Sequence, residues 1–229
     1  MNWENEIDRF HNFILDNKII GFFEEPLKLK SGRLSYWYVN WRNISSDVYL
    51  LDQLTDFILS FIDYLGLDPL CFYGVPEGAT KLGIITQYKW ARRQKNYNSG
   101  IYPLSMGRAK QKEHGDPKDR FFVGIPKGKT IIIEDVTTTG DSLITTIKNL
   151  KKLDVNIIAT IGLTNRNELR DDGKSVEQII KEQNLQYYAM SNAVDLLPRI
   201  KMDEDMKMHI EEYFKKYGAR RIQFKSAKM

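Results

Sequence analysis

Residues 130–143 of the 229-residue chain read Thr-Ile-Ile-Ile-Glu-Asp-Val-Thr-Thr-Thr-Gly-Asp-Ser-Leu. The β-branched run Thr130–Ile133 is typical of a buried strand, and apolar residues recur at helical spacing over Leu143–Leu150. A strand therefore delivers two adjacent carboxylates and a polar turn to the start of a helix. Strands and helices alternate over residues 49–190, which predicts an α/β fold with a central, mostly parallel sheet flanked by helices.

The rest of the chain divides around this core. Residues 4–18 carry apolar side chains at helical spacing, and the stretch 27–48, with a glycine and alternating aromatic residues, predicts extended or hairpin structure. We therefore expect an N-terminal segment at 1–48, which we call the hood, an α/β core at 49–218 and a basic C-terminal tail at 219–229.

Composition excludes several classes of protein. The net charge is only +4, and the Lys and Arg residues are spread along the chain, which favours small polyanionic ligands over nucleic acid. No apolar stretch approaches the roughly 18 residues that would span a membrane. The single cysteine, Cys71, lies in an apolar run and fits a core residue in a reducing compartment. We expect a cytoplasmic protein, with His11 and His209 at its surface.

The polar turn after the strand has the parts of a phosphate site. Gly140 lets the backbone approach an anion closely, and the N–H groups at a helix start attract negative charge. Hydroxyl donors come from Thr137, Thr138, Thr139 and Ser142. The Gly-Lys-Ser/Thr ending of nucleotide-binding P-loops is missing.

The two carboxylates, Glu134 and Asp135, have a different use. They would repel a phosphate, but they accept hydrogen bonds from the hydroxyl groups of a ribose. Residues Glu134–Ser142 therefore predict a site for a sugar phosphate. The alternative is an acidic strand end followed by a helix that Asp141 or Ser142 caps.

This arrangement resembles the donor-binding motif of the type I phosphoribosyltransferases. The resemblance implies the fold of that family, with a small hood over the sheet, and the donor 5-phosphoribosyl 1-diphosphate (PRPP). It implies Mg²⁺ held mainly by PRPP rather than by protein ligands, and a catalytic role for Asp135. The implied PRPP-binding residues of this segment are Glu134, Asp135, Val136, Thr137, Thr138, Thr139, Gly140, Asp141 and Ser142.

Residues 29–38 read Leu-Lys-Ser-Gly-Arg-Leu-Ser-Tyr-Trp-Tyr, similar to the Lys-Ser-Gly-Arg motif of the orotate phosphoribosyltransferases. In that family the lysine meets the donor and an aromatic pair lines the base site. The resemblance thus implies that Lys30 binds PRPP and that Trp37 and Tyr38 bind orotate. By themselves these residues fit an exposed basic hairpin equally well, and the proline that the family has before the aromatic residues is missing.

Residues 107–116 read Gly-Arg-Ala-Lys-Gln-Lys-Glu-His-Gly-Asp and predict a mobile cationic loop. Such a loop would stabilise the charge that grows on departing pyrophosphate and would exclude water. It is similar to the catalytic loop of the orotate family, which implies that Arg108, Lys112 and His114 are catalytic and bind PRPP, partly across a homodimer interface. Ala109 stands where the family often has lysine, and a solvated charge run is the alternative.

The acceptor site depends on residues after other strands. Arg166 occupies the position of the family arginine that pairs with the orotate carboxylate, and a guanidinium suits a carboxylate as a bidentate partner. The resemblance also implies that Thr138 contacts orotate. Glu77-Gly78 departs from the Tyr-Lys that many members carry in the loop after the first sheet strand.

Four motifs in family order, over about residues 20–200, predict an orotate phosphoribosyltransferase (a pentosyltransferase) of pyrimidine biosynthesis. It would transfer ribose 5-phosphate from PRPP to orotate and release pyrophosphate. The departure at Glu77-Gly78 leaves a different acceptor base as one alternative. A PRPP-binding regulator without catalysis is another, although no helix-turn-helix extension is apparent. The expected partners are these substrates and a second copy of the chain, with no nucleic acid and no membrane.

We expect Lys112→Ala to lower the turnover rate by orders of magnitude, because the lost cation acts on charge that develops in the transition state. PRPP binding should remain largely intact. Steady-state turnover together with PRPP titration would measure both effects. An unchanged rate would return residues 107–116 to a solvated charge run.

Overall fold

The computed structural model of the chain describes residues 3–108, 113–114 and 121–224. The helices found there are α1 (Trp3–Asp16), α2 (Val48–Tyr64), α3 (Thr80–Arg92), α4 (Asp141–Lys151), α5 (Val176–Lys181), α6 (Ala193–Leu196) and α7 (Glu204–Tyr217). The strands are β1 (Ile20–Lys28), β2 (Leu34–Val39), β3 (Cys71–Gly74), β4 (Met106–Gly107), β5 (Phe122–Val123), β6 (Thr130–Thr137), β7 (Ile157–Asn165) and β8 (Tyr187–Asn192).

A parallel sheet of four strands, in the order β3-β6-β7-β8, forms the centre of the fold. Side chains alternate between its faces, so Ile131 and Ile133 join an apolar cluster with α1, α2 and α7, whereas Ile132 packs with α4 and α5 on the other face. Burial on both faces explains the continuous apolar runs of these strands. The predicted α/β class is confirmed.

The hood is an antiparallel hairpin of β1 and β2 that is anchored on the sheet by two tryptophans. Trp37 and Trp41 are wholly buried in the same cluster as α1 and α2. The ring of Phe214 stacks on Trp37 with centroids 5.9 Å apart, and Trp41 Nε1 donates to Thr164 Oγ1 of β7 at 3.1 Å. These contacts hold the hood over the carboxyl end of the sheet, where ligands bind in such folds.

Strand β6 runs beyond Ile133, the predicted end of the buried strand, to Thr137. Its ladder with β7 continues to the pair Thr137↔Asn165, so the two carboxylates lie on the strand itself rather than in the turn. Helix α5 begins with a capping box at Ser175. Helix α7 ends before Gly218, whose backbone is extended rather than left-handed.

Two predictions for single residues had different outcomes. Cys71 is wholly buried, as expected of a core residue. His11 was expected at the surface but is only 2% exposed, on a helix that packs against β8. Burial and the charge of Arg199 lower the pKa of His11. Throughout the described ranges, no helix has the length and apolar character needed to cross a membrane.

Helix α3 lies directly on the end of β3 because Gly83 has no side chain. A Cβ at Gly83 would overlap the backbone nitrogen of Gly74 and stand 2.9 Å from its Cα. We therefore expect Gly83→Ala to lower the free energy of unfolding by about 1–3 kcal/mol, although alanine is the better helix former. Gly21→Ala is the matched control, since its Cβ would meet nothing within 4 Å. Equal urea midpoints for the two variants would contradict this close approach.

Candidate active site

A cavity of about 530 Å³ lies between the hood and the carboxyl ends of the sheet strands. Its lining comprises residues 29–31 and 38–42 of the hood, 76–78 after β3, 134–136 and 138–142 from β6 and the start of α4, and Arg166 after β7. A larger open groove of about 950 Å³ separates α1 from α2, but none of these strand-end segments reaches it. The cavity at the strand ends is therefore the candidate site.

An anion site is formed where the turn meets α4. Gly140 has a left-handed backbone, with φ of 74°, and its carbonyl accepts from the N–H of Ile144 at 2.9 Å to open the helix. The first N–H groups of a helix have no partner within it and point outward. Lys30 of the hood reaches the same turn and donates from Nζ to Ser142 Oγ at 3.0 Å. The turn thus combines helix-start N–H groups with a cation.

The carboxylate of Asp141 at this turn is neutralised by Arg170. Arg170 Nη1 donates to Asp141 Oδ1 at 2.7 Å and also to the carbonyl of Thr139, while Thr139 Oγ1 donates to Asp141 Oδ2 at 2.8 Å. Burial acts to raise the pKa of Asp141, but the bonds from Arg170 and Thr139 outweigh it and hold the pKa below its usual value. The turn keeps its shape without presenting an unpaired negative charge to an anion.

Glu134, which is buried, and Asp135, which is half-buried, form a carboxyl pair. Burial raises the pKa of Glu134 well above its usual value, and the charge of Asp135 and a hydrogen bond with it add to the shift. Burial also raises the pKa of Asp135. The hydrogen bond with Glu134 opposes this rise, because it favours the ionised form of Asp135 as the acceptor. Two carboxyls in such contact tend to share a proton.

The presence of glycine at position 78 is explained by a close contact that the sequence did not reveal. The carboxylate of Asp135 packs against Gly78, so that a Cβ at Gly78 would stand 2.6 Å from Asp135 Cγ. A lysine at this position would displace Asp135. The neighbouring Glu77, which follows a cis peptide bond after Pro76, is exposed at the rim of the cavity.

Arg166 lies at the floor of the cavity with its guanidinium fixed. Nε donates to Glu168 Oε1 at 2.6 Å, Nη2 donates to Ser35 Oγ at 3.1 Å, and Nη1 donates to the carbonyl of Trp37 at 3.3 Å. The guanidinium also stacks on the Trp37 ring, 3.6 Å from its centroid. These bonds use three of the five N–H donors of a guanidinium, so the side chain is oriented while donors remain for a ligand.

The structure brings most of the predicted binding residues into this one cavity. Its lining includes Lys30, Tyr38, Glu134, Asp135, Val136, Thr138, Thr139, Gly140, Asp141, Ser142 and Arg166. Trp37 is not among them, because neighbouring side chains on a strand point to opposite sides and its ring faces the core. The hydroxyl of Thr137 is likewise turned away and hydrogen-bonds that of Tyr187.

The predicted catalytic loop is described only in part. Arg108 lines a second cavity, of about 380 Å³, which shares Lys30, Pro76, Asp141 and Ser142 with the first. The Arg108 N–H donates to the carbonyl of Phe121 at 2.8 Å, beside the antiparallel pairing of β4 with β5. His114 is exposed, and neither lining as described includes it. Lys112 lies outside the described residues.

Sequence reasoning missed three charged residues at the site: Arg42, Glu168 and Arg170. Arg42 lines the cavity from the hood, whereas Glu168 and Arg170 hold Arg166 and Asp141 in place. Glu168 and Arg170 come just after β7, at the carboxyl edge where ligands bind. Their position after a strand could have identified Glu168 and Arg170 as site residues, but an ordinary charged turn has the same composition.

No protein-family model matches the chain. The orotate phosphoribosyltransferase of Buchnera aphidicola (subsp. Acyrthosiphon pisum, strain Tuc7) is 27% identical over 224 residues, covering 95% of this chain and 100% of that protein. The orotate phosphoribosyltransferase of Rhodopseudomonas palustris (strain TIE-1) is 32% identical over 162 residues, covering 64% of this chain and 77% of that protein. A crystal structure of orotate phosphoribosyltransferase from Francisella tularensis shares the fold, with a TM-score of 0.66 at 23% identity over 92% of this chain and 99% of that one. The sequence relatives show that the chain belongs to the orotate phosphoribosyltransferase family.

Proposed function

We propose that the protein transfers ribose 5-phosphate from PRPP to orotate, forming orotidine 5′-monophosphate and pyrophosphate in pyrimidine synthesis. One observation carries the proposal: a single cavity joins the helix start at Gly140–Ser142, the carboxyl pair of β6 and the fixed guanidinium of Arg166. The helix start suits a phosphate, the carboxyl pair suits the hydroxyls of a ribose, and the guanidinium suits an organic carboxylate. Family membership favours orotate as the acceptor.

PRPP would lie along the cavity with its 5-phosphate at the start of α4. The N–H groups and hydroxyls of residues 138–142 would bind that phosphate, with Lys30 beside it. The ribose hydroxyls would donate to Glu134 and Asp135, and the pyrophosphate would lie toward residues 76–78. Asp135 reaches from the ribose position to Gly78, so one carboxylate links the two ends of the donor site.

The residues present fit Mg²⁺ that is bound chiefly through the donor. Where the chain is described, no group of three or more His, Cys, Asp or Glu side chains could hold a metal ion by itself. Glu134 and Asp135 offer carboxyl oxygens, which Mg²⁺ prefers together with phosphate oxygens. When bound, Mg²⁺ would neutralise charge on the pyrophosphate. The two carboxyls would complete its ligands or orient the hydroxyls that do so.

Arg166 would orient the acceptor. Arg166 belongs to the lining of the cavity, and its remaining N–H donors would pair with the orotate carboxylate, while Thr138 and Tyr38 would border the ring. The ring nitrogen of orotate would then attack C1 of the ribose as the bond to pyrophosphate breaks. Glu168 fixes the direction of the guanidinium, so the base is held where its nitrogen meets the ribose.

We also propose a homodimer in the cytoplasm, with Arg108, Lys112 and His114 acting on the pyrophosphate, partly across the interface. The cavity beside Arg108 adjoins the donor site and supports a role for this loop. Large apolar side chains are exposed on two neighbouring helices, including Val48 at 86%, Tyr49 and Tyr88. Such side chains suit contact with a second copy. The single buried cysteine fits a reducing compartment.

Pyrophosphate release with different bases tests the proposed function. With PRPP and Mg²⁺ present, we expect release to depend on orotate and not on hypoxanthine, adenine or uracil, because Arg166 requires a carboxylate on the base. Turnover with one of the other bases, and none with orotate, would assign a different acceptor. PRPP binding without turnover on any base would indicate a regulator.

The carboxyl pair predicts a conflict between stability and donor binding. Folding raises the pKa of Glu134, so the folded protein binds the proton of this carboxyl more tightly than the unfolded chain does. The free energy of unfolding therefore falls as the pH rises from the unfolded-state pKa of Glu134 through its folded-state pKa. Glu134→Gln keeps the shape and the hydrogen bond of the protonated acid but cannot ionise. We expect the variant to have a higher Tm than the wild type at the upper end of this window and a weaker affinity for PRPP with Mg²⁺.

Thermal melts between about pH 5 and 9 and calorimetric titration of PRPP with Mg²⁺ would measure the two effects. Glu24→Gln, at an exposed residue of β1, is the matched control and should change neither. A difference in Tm between wild type and Glu134→Gln that stays constant across the pH range would contradict the raised pKa.

A further inference from the structure

Arg42 is a cationic residue of the cavity to which no sequence motif gave a role. It is exposed, lines the cavity from the hood and follows Trp41, which is wholly buried and bonded to Thr164. The Arg42 N–H donates to Asn40 Oδ1 at 3.1 Å. Ser45 Oγ donates to the Arg42 carbonyl at 3.1 Å, so the backbone at Arg42 is held on both sides.

The charge of Arg42 acts on the part of the cavity formed by Asp135 and Gly78. Arg42, Asp135 and Gly78 line the same cavity. Burial raises the pKa of Asp135, and the charge of Arg42 is the smallest of the effects that oppose this rise. Asp135 in turn packs against Gly78 of the loop after β3. Lys30, by contrast, bonds Ser142 at the phosphate turn.

Among the described residues of the lining, Arg42 is the cationic side chain available to a pyrophosphate in this part of the cavity. The loop itself contributes Pro76, Glu77 and Gly78, none of which is cationic, and a side chain at Gly78 would have to displace the carboxylate of Asp135. Three cationic side chains belong to the lining as described: Lys30, Arg42 and Arg166. Lys30 serves the phosphate turn and Arg166 is held at the floor by Glu168.

We propose that Arg42 binds the pyrophosphate group of PRPP, opposite the loop of residues 76–78. The inference rests on the proposed function, which it deepens by naming the residue that recognises the leaving group. A guanidinium presents parallel N–H donors that match two phosphate oxygens, and its charge offsets the nearby carboxyls. Arg42 is then a fixed counterpart to the cationic loop of residues 107–116.

The reverse reaction separates the ligands, because orotidine 5′-monophosphate and pyrophosphate can be varied independently. We expect Arg42→Ala to raise the KM for pyrophosphate by about 10- to 100-fold, as for loss of a charged hydrogen bond. The KM for orotidine 5′-monophosphate should stay unchanged. Arg42→Lys should restore part of the loss, since it keeps the charge without the bidentate geometry. Arg9→Ala removes an arginine from the exposed surface of α1 and should have no effect.

Calorimetric titration of Mg²⁺ and pyrophosphate into the wild type and both Arg42 variants requires no turnover. If the wild type binds pyrophosphate but does not use orotate, the proposed acceptor fails, while weaker pyrophosphate binding by Arg42→Ala still supports the role of Arg42. Equal pyrophosphate affinity in wild type and Arg42→Ala would overturn that role. The role would also be overturned if Arg42→Ala raised the KM for orotate and orotidine 5′-monophosphate and left the KM for pyrophosphate unchanged. That result would place Arg42 at the base.

Discussion

The buried carboxylate of Glu168 is the contact on which the site depends. It accepts from Arg166 Nε at 2.6 Å and from Arg33 Nη1 at 3.0 Å, and all three side chains are almost wholly buried. Breaking a buried pair by removing one partner costs about 3–5 kcal/mol, although an apolar replacement of the whole group is often no less stable. The network is therefore better explained by the geometry it imposes than by the stability it adds.

That geometry links the hood to the strand ends through one short motif. Arg33 is anchored by Glu168 and lies over the ring of Tyr217, 4.6 Å from its centroid, so the turn of the hairpin is held against α7. The Arg33 carbonyl accepts from the N–H of Leu29 at 2.8 Å, which closes the turn that carries Lys30. The arginine of Lys-Ser-Gly-Arg thus positions its lysine at Ser142. The other end of β2 is fixed by Trp41, which gives Arg42 its place.

Local patterns in the sequence predicted the parts of the site that form locally. The apolar strand, the adjacent carboxylates and the glycine before α4 lie within residues 130–143, so spacing alone identified them. The network at Glu168 was not predictable in this way, because Arg33 lies 135 residues away along the chain. Trp37 shows a related limit of sequence patterns. Alternation along a strand predicts that Trp37 and Tyr38 point to opposite faces, but packing against Phe214 decides which face is the core.

The electrostatics of the site oppose folding and favour a ligand. Glu134 and Asp135 lie beside each other, and burial raises both pKa values, so the pair tends to keep a proton. Asp141, which belongs to the same cavity, is instead neutralised by Arg170 within the protein. If the fold had been selected for stability alone, Glu134 and Asp135 would be ion-paired, as Asp141 is, or replaced by uncharged residues. Carboxyls without an ion-pair partner among the described residues are suited to the hydroxyls or the cation of a substrate.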